Sequence, residues 1–411
     1  MRTAIRSADI PVRKKSAPVE VASADWKEMP FGEFATLQRG KDLTKSQFRD
    51  GPVPVAGSNG IIGYHDTAIA SGPGITVGRS GSAGKVTYYE KDFWPHNTAL
   101  YVKDFHGNDP LFSRYFFGHL DLSRFKTGAS VPTLDRNSFK MLPVVVPPLP
   151  EQKKIAHILL TVQRAIEEQE RIIQTTTELK KALMHKLFTE GLRNEPQKQT
   201  KIGPVPKSWE VVELVTLLRE PLRNGHSARA TTDEDGIRTL TLTAVTQRDF
   251  SIVNTKVTCA DPHRVRDMWL RSGDIFIERA NTADYVGLAA LYEGEEDFAI
   301  FPDLLIRVRV DTSRVLPKVL IEWLLAEPCR HYYKKNARST AGNFPKIDQG
   351  TVEKTLIPVP SEDEQAELES TFRALDEKLQ RHTGLKSALQ DLFRTFLHEL
   401  MNAKTRVSQN A

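Results

Sequence analysis

The chain has 411 residues, of which 39% are hydrophobic and 27% are charged, and its formal net charge is +5. The length predicts two or three domains, and the hydrophobic content is too high for a disordered chain. Two cysteines exclude a disulfide scaffold and a cysteine-rich zinc site, and no apolar run approaches the ~18 residues of a membrane span. We therefore expect a reduced, cytoplasmic protein without a membrane partner, and its basic N-terminal stretch lacks the apolar core of a secretory signal.

Composition and periodicity divide the chain into alternating globular and helical segments. Two stretches rich in short β-like runs predict two mixed α/β domains, and each is followed by a long segment of helical periodicity. A stretch of Asn, Gln, Lys, Gly and Pro residues between them is typical of a linker. The predicted segments are a flexible basic tail at 1–24, a first domain at 25–150, a first long helix at 151–191, a linker at 192–208, a second domain at 209–360, a second long helix at 361–403 and a tail at 404–411.

Within the two domains, β-branched and aromatic runs predict short strands, and proline-led apolar stretches predict helices. The predicted strands are Pro52–Ala56, Ile75–Gly78, Lys85–Tyr89, Ala99–Lys103, Asp274–Ile277, Leu288–Tyr292 and Leu304–Val310. The predicted helices are Pro110–Leu120 and Pro317–Tyr333.

The chain contains an internal duplication. The motif Ser-Val-Pro-Thr-Leu-Asp at 130–135 returns as Asn-Phe-Pro-Lys-Ile-Asp at 343–348, which is 213 positions later, and the Glu-Gln pair at 151–152 returns at 364–365 with the same offset. Trp26 and Trp209, which open the two domains, are only 183 positions apart, so the second domain holds about 30 more residues. The ends of the two halves are similar and their middle parts differ, which indicates one shared architecture with two different recognition surfaces.

Both long segments carry apolar residues at spacings of three, four and seven, which predicts amphipathic helices of roughly 55 Å at 1.5 Å per residue. One helix cannot bury such a seam alone, whereas two matching helices can bury it on each other. Ser361 and Glu364 predict a capping box, Gly191 predicts the end of the first helix, and Gly384 interrupts the second. The predicted seam residues are Ile155, Leu159, Val162, Ile166, Ile172, Leu179, Leu183 and Leu187, with Leu368, Phe372, Leu375, Leu379, Leu385, Leu392, Phe396 and Leu400.

Motifs for catalysis are weak or missing. The glycine-rich run 78–86 has five residues between its outer glycines and no hydroxyl after its lysine, so it predicts a tight turn rather than a nucleotide-binding loop. Asp274 and Glu278 flank a strand without the lysine that a metal-dependent nuclease would place two residues later. A methyltransferase would need a glycine-rich cofactor loop and an Asn/Asp-Pro-Pro-aromatic motif, and Asp109–Phe112 lacks the second proline.

Positive charge is concentrated in the domains. Residues 330–346 carry a net charge of +5 beside four aromatic or histidine side chains, and the corresponding stretch 114–140 carries +3. Residues 361–403, the second long helix, carry −4. This partition is typical of domains that contact nucleic-acid phosphates and helices that contact protein.

These features together resemble the DNA-specificity subunit of type I restriction–modification enzymes. The resemblance runs from Trp26 to about Met401 and rests on Val144–Gln152 (Val-Val-Val-Pro-Pro-Leu-Pro-Glu-Gln), Leu187–Gly191 (Leu-Phe-Thr-Glu-Gly) and Gly203–Trp209 (Gly-Pro-Val-Pro-Lys-Ser-Trp). Gly-Ser-Asn-Gly at 57–60, with Gly-Tyr at 63–64, adds to it. The second copy departs from the pattern, because 360–365 lacks the second proline.

The resemblance implies a mixed α/β fold with two target-recognition domains in pseudo-twofold repeat, joined by two long antiparallel coiled-coil helices. Each domain would read one half of an asymmetric, bipartite duplex DNA site. The partners implied are two modification subunits, which bind S-adenosylmethionine and methylate adenine N6, and two restriction subunits, which use ATP and Mg²⁺ to translocate and cut DNA. The chain itself would be non-catalytic, would hold no cofactor or metal, and would act in prokaryotic antiviral defence, associated with the nucleoid through DNA.

Candidate DNA contacts follow from side-chain chemistry, because arginine forks match guanine, amides match adenine and lysines match phosphate. For base reading we predict, in the first domain, Arg79, Ser80, Ser82, Lys85 and Asn97. In the second domain we predict Arg279, Asn281, Thr282 and Tyr285, after the corresponding strand. The predicted phosphate contacts are Lys126, Lys334, Lys335, Arg338 and Lys346, whereas Tyr332 and Tyr333 fit a helix face packed on its own domain.

Two alternatives remain open at this point. One is an autonomous DNA enzyme, either a nuclease or a methyltransferase. The other is a helix-pair scaffold that binds without sequence specificity.

Overall fold

The computed structural model describes residues 25–128, 132–233, 235–339 and 344–407. They form two compact units: the first takes in the described residues up to Arg171 and from Thr383 onward, and the second is Ile172–His382. Each unit therefore contains one globular domain and part of each long helix. The expected tail at 1–24, the chain end at 408–411, and positions 130–131 and 343 of the repeated motifs lie outside the described residues.

Each unit contains an antiparallel sheet with the same strand order. In the first unit this order is Thr36–Arg39, Ala99–Asp104, Gly74–Gly78 and Val86–Tyr89. In the second unit it is Arg223–Asn224, Leu305–Val308, Ile275–Glu278 and Ala289–Leu291. All seven predicted strands overlap observed ones, and the matching order confirms the mixed α/β class and the internal repeat.

A short ribbon beside each sheet joins the two ends of the domain. Lys27–Pro30 pairs with Pro143–Val146, and Glu210–Glu213 pairs with Leu356–Val359, both antiparallel. The strand that follows each Trp is thereby bonded to the strand that leads into each long helix. Entry and exit of each domain lie together as a result.

The remaining elements fill out the two units. In the first, the strands are Val53–Gly57, Gly60–His65, Trp94–Pro95, Lys126–Thr127 and Thr133–Leu134, the helices are Phe31–Phe34 and Pro110–Leu120, and the 3₁₀ turns are Lys45–Gln47, Leu122–Phe125 and Arg136–Ser138. In the second, the strands are Gln197–Thr200, Gly203–Pro206, Ile237–Leu240 and Thr255–Thr258, the helices are Leu242–Thr246, Pro262–Val265, Pro317–Leu325, Glu327–Asn336 and Gln349–Glu353, and the 3₁₀ turns are Leu214–Leu217 and Ile252–Asn254.

One predicted helix was wrong, and the segment predicted as a linker has structure of its own. The expected helix Pro317–Tyr333 is two helices, because Ala326 is extended and Pro328 lies in the first turn of the second helix, where its missing N–H costs nothing. The expected linker contains a hairpin, Gln197–Thr200 with Gly203–Pro206, whose turn uses Gly203 at a φ of +100°.

Aromatic and aliphatic side chains close the core of each unit. In the first, Phe31 and Phe117 are fully buried, with ring centroids 5.1 Å apart. In the second, Ile275 and Ile277 of the sheet share one core with Leu320 and Leu324 of the helix Pro317–Leu325. None of the described helices combines the length and the apolar content of a membrane span.

The two long helices span Leu149–Glu190 and Glu362–Met401, close to the predicted limits. In the first unit they pack through Ile155 and Leu159 with Leu397 and Leu400, and in the second through Leu187 with Leu368. Eight of the sixteen predicted seam residues lie in or against these two cores, namely Ile155, Leu159, Leu183, Leu187, Leu368, Phe372, Phe396 and Leu400. Three predicted seam residues were wrong: Leu179, Leu385 and Leu392 are 55%, 46% and 39% exposed.

The helices run antiparallel within each unit. In the first, the Lys386 ammonium lies 3.0 Å from the Glu170 carboxylate. In the second, the Lys180 ammonium lies 2.6 Å from the Asp376 carboxylate.

The Glu-Gln pair lies in the first turn of each helix and fastens it to its domain. Glu151 accepts a hydrogen bond from Trp26 Nε1 at 3.2 Å, and Glu364 accepts one from Trp209 Nε1 at 2.7 Å. Glu364 also accepts from the Leu192 amide at 3.0 Å. The predicted capping box at Ser361 was therefore wrong, because the Glu364 carboxylate is used by the domain.

A buried charge cluster joins both helices to the second domain. Lys180 and Lys318 lie 2.8 and 2.9 Å from the Glu322 carboxylate, and both also contact Asp376. Glu322 is 2% exposed. Buried charges need opposite partners, since each ion leaves water at a cost of several kcal/mol. The cluster therefore fixes how the helix Pro317–Leu325 lies against the long helices.

Breaking this cluster should destabilise the second unit. We expect Lys180→Met to lower the free energy of unfolding by about 3–5 kcal/mol, because it leaves an excess negative charge in a buried site. Lys386→Met is the matched control, since its pair with Glu170 is partly exposed, at 30% and 50%, and such pairs contribute about 0–1 kcal/mol. Urea denaturation followed by tryptophan fluorescence measures both, and equal losses in the two variants would contradict the assignment.

Candidate nucleic-acid interface

The same backbone frame occurs at the end of one interior strand in each unit. In the first, the Arg79 amide donates to Thr98 O at 2.9 Å, and the Leu134 amide donates to Arg79 O at 2.7 Å. In the second, the Arg279 amide donates to Leu304 O at 2.8 Å, and the Ile347 amide donates to Arg279 O at 2.9 Å. We call the loops that begin at Arg79 and Arg279 the reading loops.

The repeated motif of each domain lies beside its reading loop. Ser80 forms a β-bridge with Thr133, and Ala280 forms one with Lys346. The motif aspartate then turns the chain back: the Asp348 carboxylate accepts from the Thr351 amide at 2.7 Å, and the hydrogen bonds from Thr351 hold the pKa of Asp348 below its ordinary value. The duplication noticed in the sequence thus places its motifs against the predicted base-reading residues.

The reading loop of the first unit is a glycine turn. Gly81 and Gly84 have φ angles of +76° and +91°, which favour glycine. Lys85 Nζ donates to Asn59 Oδ1 at 2.7 Å, so this lysine also holds the neighbouring turn at 57–60. Arg79, Ser80 and Ser82 are half-buried at the loop surface. Asn97 lies in the adjacent turn, and its carbonyl accepts from Arg39 Nε at 3.3 Å.

A buried carboxylate lies under the reading loop of the second unit. Glu278 Oε1 accepts from Thr246 Oγ1 at 2.7 Å, and Glu278 Oε2 accepts from Asn281 Nδ2. Burial raises the pKa of Glu278, although the hydrogen bonds from Thr246 and Asn281 and the nearby Arg330 oppose the shift. The first unit has Gly78 at this position, so the two loops are supported in different ways.

Asn281 is hydrogen-bonded within this loop. Its Nδ2 donates to Glu278, and its Oδ1 accepts from the Thr282 amide at 2.7 Å. These two bonds make Asn281 part of the support of the loop. A carboxamide has a second N–H donor, so the base contact of Asn281 stays a prediction. Thr282 and Tyr285 are exposed on the same loop, and Tyr285 is 43% exposed.

The two acidic residues that flank the strand are held by other side chains. Asp274 is bound on both oxygens by Arg309, with Nε–Oδ1 and Nη2–Oδ2 distances of 2.5 and 3.0 Å, and Glu278 is held by the loop as described. Within the described ranges, no group of three or more His, Cys, Asp or Glu side chains is placed to hold a metal ion.

The predicted phosphate contacts lie on the surface. Lys126, Lys334, Lys335, Arg338 and Lys346 are all exposed. Arg338 and Lys346 exchange backbone hydrogen bonds of 2.9 Å, which brings the two basic side chains next to the second reading loop. Lys334 lies 3.7 Å from Asp284. Tyr333 is buried and Tyr332 donates to Thr351 O at 3.1 Å, as expected for a packed helix face.

Sequence reasoning missed one part of this surface, the segment after the first strand of each sheet. The Lys41 amide donates to Pro95 O at 2.9 Å, and the His226 amide donates to Phe301 O at 2.9 Å. Both segments adjoin the turns that hold the reading loops. The sequence signal for these segments was a glycine after each strand, Gly40 and Gly225. These glycines lie 185 positions apart, whereas the repeated motifs are offset by 213 positions and the tryptophans by 183.

The raised pKa of Glu278 makes a pH-dependent contribution to stability. A carboxylate whose folded pKa is raised stabilises the fold below its unfolded pKa, and this contribution is lost as the pH rises through the folded pKa. We therefore expect wild type to lose stability relative to Glu278→Gln as the pH rises from the ordinary glutamate pKa of 4.5 through the higher pKa of the folded state. Thermal unfolding across that range measures the difference. The control is Glu327→Gln at an exposed position, and a constant difference for Glu278→Gln would refute the expectation.

Comparison with known proteins finds a matching domain model and several relatives. Residues 23–176 match the model of the type I restriction modification DNA specificity domain. The chain is 24% identical over 68% of its length to the type I restriction enzyme MjaVIII specificity subunit of Methanocaldococcus jannaschii. It is 24% identical over 84% of its length to the StySPI specificity subunit of Salmonella potsdam, of which the alignment covers 80%.

The chain spans 66% of the MjaVIII subunit's own length and 43% of that of another relative. A crystal structure of the type I restriction-modification S subunit from M. genitalium has the same fold, with a TM-score of 0.65 at 16% identity, over 94% of this chain and 99% of that one. The match over residues 23–176, the relatives described as specificity subunits and the shared fold agree with the duplicated frame: the chain is similar to the specificity subunits of type I restriction–modification systems.

Proposed function

We propose that this chain reads an asymmetric, bipartite duplex DNA site, with one reading loop for each half. The observation that carries the proposal is the frame found twice: the same backbone hydrogen bonds hold both reading loops, while the side chains on them differ. Gly78, Arg79 and Ser80 in the first unit correspond to Glu278, Arg279 and Ala280 in the second. A common scaffold with different donors suits two readers of different sequences.

The chemistry of the loops supports base contacts. A guanidinium has five N–H donors and pairs with guanine in the major groove through two of them. Arg279 uses Nη1 on Asp303 O at 3.3 Å, which leaves further donors for a base edge. Arg79, Ser80, Ser82, Asn97, Thr282 and Tyr285 add donors and acceptors near the loops, and Lys85 and Asn281, which also hydrogen-bond within the protein, have further N–H donors for a base.

The basic residues around the loops would set affinity rather than sequence. Lys126 in the first unit and Lys334, Lys335, Arg338 and Lys346 in the second are exposed, and phosphate contacts of this kind dominate the salt dependence of DNA binding. They would hold the duplex in register while the reading loops contact bases.

Catalysis would belong to the partners. We propose that the chain assembles with two modification subunits, which supply S-adenosylmethionine and the methyl transfer, and with two restriction subunits, which supply ATP hydrolysis with Mg²⁺ and DNA cleavage. The acidic second helix is suited to protein contacts rather than to DNA. The chain would then act in the cytoplasm as the sequence-reading part of a defence system.

Selection of bound duplexes tests the proposal directly. The chain in complex with its modification subunits is incubated with a random duplex pool, and the bound fraction is sequenced. An enriched motif in two parts separated by an unspecified spacer supports the proposal. A featureless pool supports a scaffold without specificity, and methyl transfer by the chain alone would support an autonomous enzyme.

Loss of a reading-loop arginine should change one half-site only. We expect Arg279→Ala to reduce discrimination at one base pair by about 1–3 kcal/mol, because the forked guanine contact is lost. Arg79→Ala is the matched variant and should alter the other half-site. Competition binding with single-base variants of the selected site measures both. Equal effects of either variant on both half-sites would remove these residues from the reading set.

Loss of a phosphate contact should weaken every duplex. We expect Lys335→Ala to reduce affinity for specific and random duplexes alike and to lower the slope of log K against log salt by about 1. Fluorescence anisotropy at several salt concentrations measures the slope. Lys378→Ala, on the acidic second helix, is the control and should leave the slope unchanged. A sequence-dependent loss for Lys335→Ala would make it a base contact instead.

A further inference from the structure

Each sheet has a close crossing where its first strand ends. The Gly40 amide donates to Ala99 O at 3.0 Å, and the Gly225 amide donates to Leu305 O at 3.3 Å. The next residues, Lys41 and His226, donate to Pro95 O and Phe301 O, both at 2.9 Å. The two units thus bond the same pair of residues to the same segment of the neighbouring chain. We call 39–41 and 224–226 the crossing segments.

Glycine is required at both crossings. A Cβ on Gly40 would lie 2.3 Å from the carbonyl oxygens of Pro95 and His96. A Cβ on Gly225 would lie 2.0 Å from Phe301 O and 2.5 Å from Pro302 O. These contacts are with backbone, which cannot swing away as a flexible side chain could. Each crossing segment therefore has its position set by direct backbone contact.

The crossing segments touch the turns that hold the reading loops. In the first unit, Arg39 Nε donates to Asn97 O at 3.3 Å, and Thr98 O is the acceptor for the Arg79 amide. In the second, Arg279 Nη1 donates to Asp303 O at 3.3 Å, and Leu304 O is the acceptor for the Arg279 amide. One turn in each unit therefore lies between the crossing segment and the reading loop.

The surroundings of both crossings are basic. Residues 39–49 carry four Arg or Lys against one Asp, and residues 219–229 carry three Arg against one Glu. Arg39 and Lys41 are exposed, and His226 is half-buried. This charge lies outside the basic stretches 114–140 and 330–346 identified from the sequence.

We propose that the crossing segments are a second DNA contact in each unit, in which Lys41 and His226 bind phosphates beside the bases that the same unit reads. The inference rests on the proposed function, because it takes the reading loops to face DNA. It adds, in each unit, a DNA contact that is separate from the reading loop. The backbone crossing would hold the phosphate contact at a fixed distance from the reading loop, whatever bases that loop has diverged to read.

Binding of the chain, in complex with its modification subunits, to its selected duplex tests this. We expect Lys41→Ala to weaken binding about 5-fold to 10-fold and to lower the slope of log K against log salt by about 1, with both half-site preferences intact. Lys103→Ala is the matched control, since Lys103 is exposed in the strand Ala99–Asp104 but far along it from Ala99. His226→Ala should weaken binding with its half-site preference likewise unchanged.

The outcomes separate the two proposals. If Arg79→Ala changes one half-site while Lys41→Ala behaves like Lys103→Ala, the crossing contact is refuted and the reading function stands. If Lys41→Ala changes the preferred bases, this residue reads sequence and the phosphate assignment is wrong. If neither Arg79→Ala nor Lys41→Ala changes affinity or preference, the reading function itself is refuted.

Discussion

The fold depends on one buried contact, made once in each unit, between an indole and a glutamate. Trp26 and Trp209 open the two domains, and Glu151 and Glu364 lie in the first turns of the two long helices. Both carboxylates are 5% exposed, and a carboxylate at that depth is costly unless it is hydrogen-bonded. Each long helix must therefore begin where its own domain begins. Arg406 adds a second partner for Glu151 at 2.8 Å, and the Leu192 amide does the same for Glu364 at 3.0 Å.

The glutamine that follows extends this constraint into the domain. Gln152 accepts from the Asp109 amide at 2.8 Å, just before the helix Pro110–Leu120, and Gln365 accepts from the Leu316 amide at 2.7 Å, just before the helix Pro317–Leu325. Each glutamine also donates to the carbonyl of the proline that ends its domain, Pro147 or Pro360. Two adjacent side chains thus fix the start of the domain, its end and its main helix. The loops between these points are free to differ, and the two units differ there.

The sequence was sufficient for the architecture because the architecture is encoded in local patterns. Helical periodicity located both long helices to within two residues at each end, and the repeated Glu-Gln pair showed that the two halves share their ends. Periodicity does not say which apolar residue has a partner, so Leu179 was expected in the seam although it is exposed. Glu364 was read as a cap for the same reason, because spacing cannot reveal that a distant indole binds it.

The reading surfaces were harder to predict because the offset between the two copies changes along the chain. Trp26 and Trp209 are 183 positions apart, Gly40 and Gly225 are 185 apart, and Arg79 and Arg279 are 200 apart. Fifteen of the additional residues in the second domain thus fall between the crossing glycine and the reading loop, where the hairpin of 53–65 is replaced by the larger insertion that contains Ile237–Leu240 and Thr255–Thr258.

A search with a constant offset cannot align such copies, and only the backbone hydrogen bonds identify them as equivalent. An insertion that leaves these backbone hydrogen bonds intact changes the residues beside the reading loop but leaves the loop in place. Selection can therefore vary recognition in one domain while the other domain and both helices remain as they are.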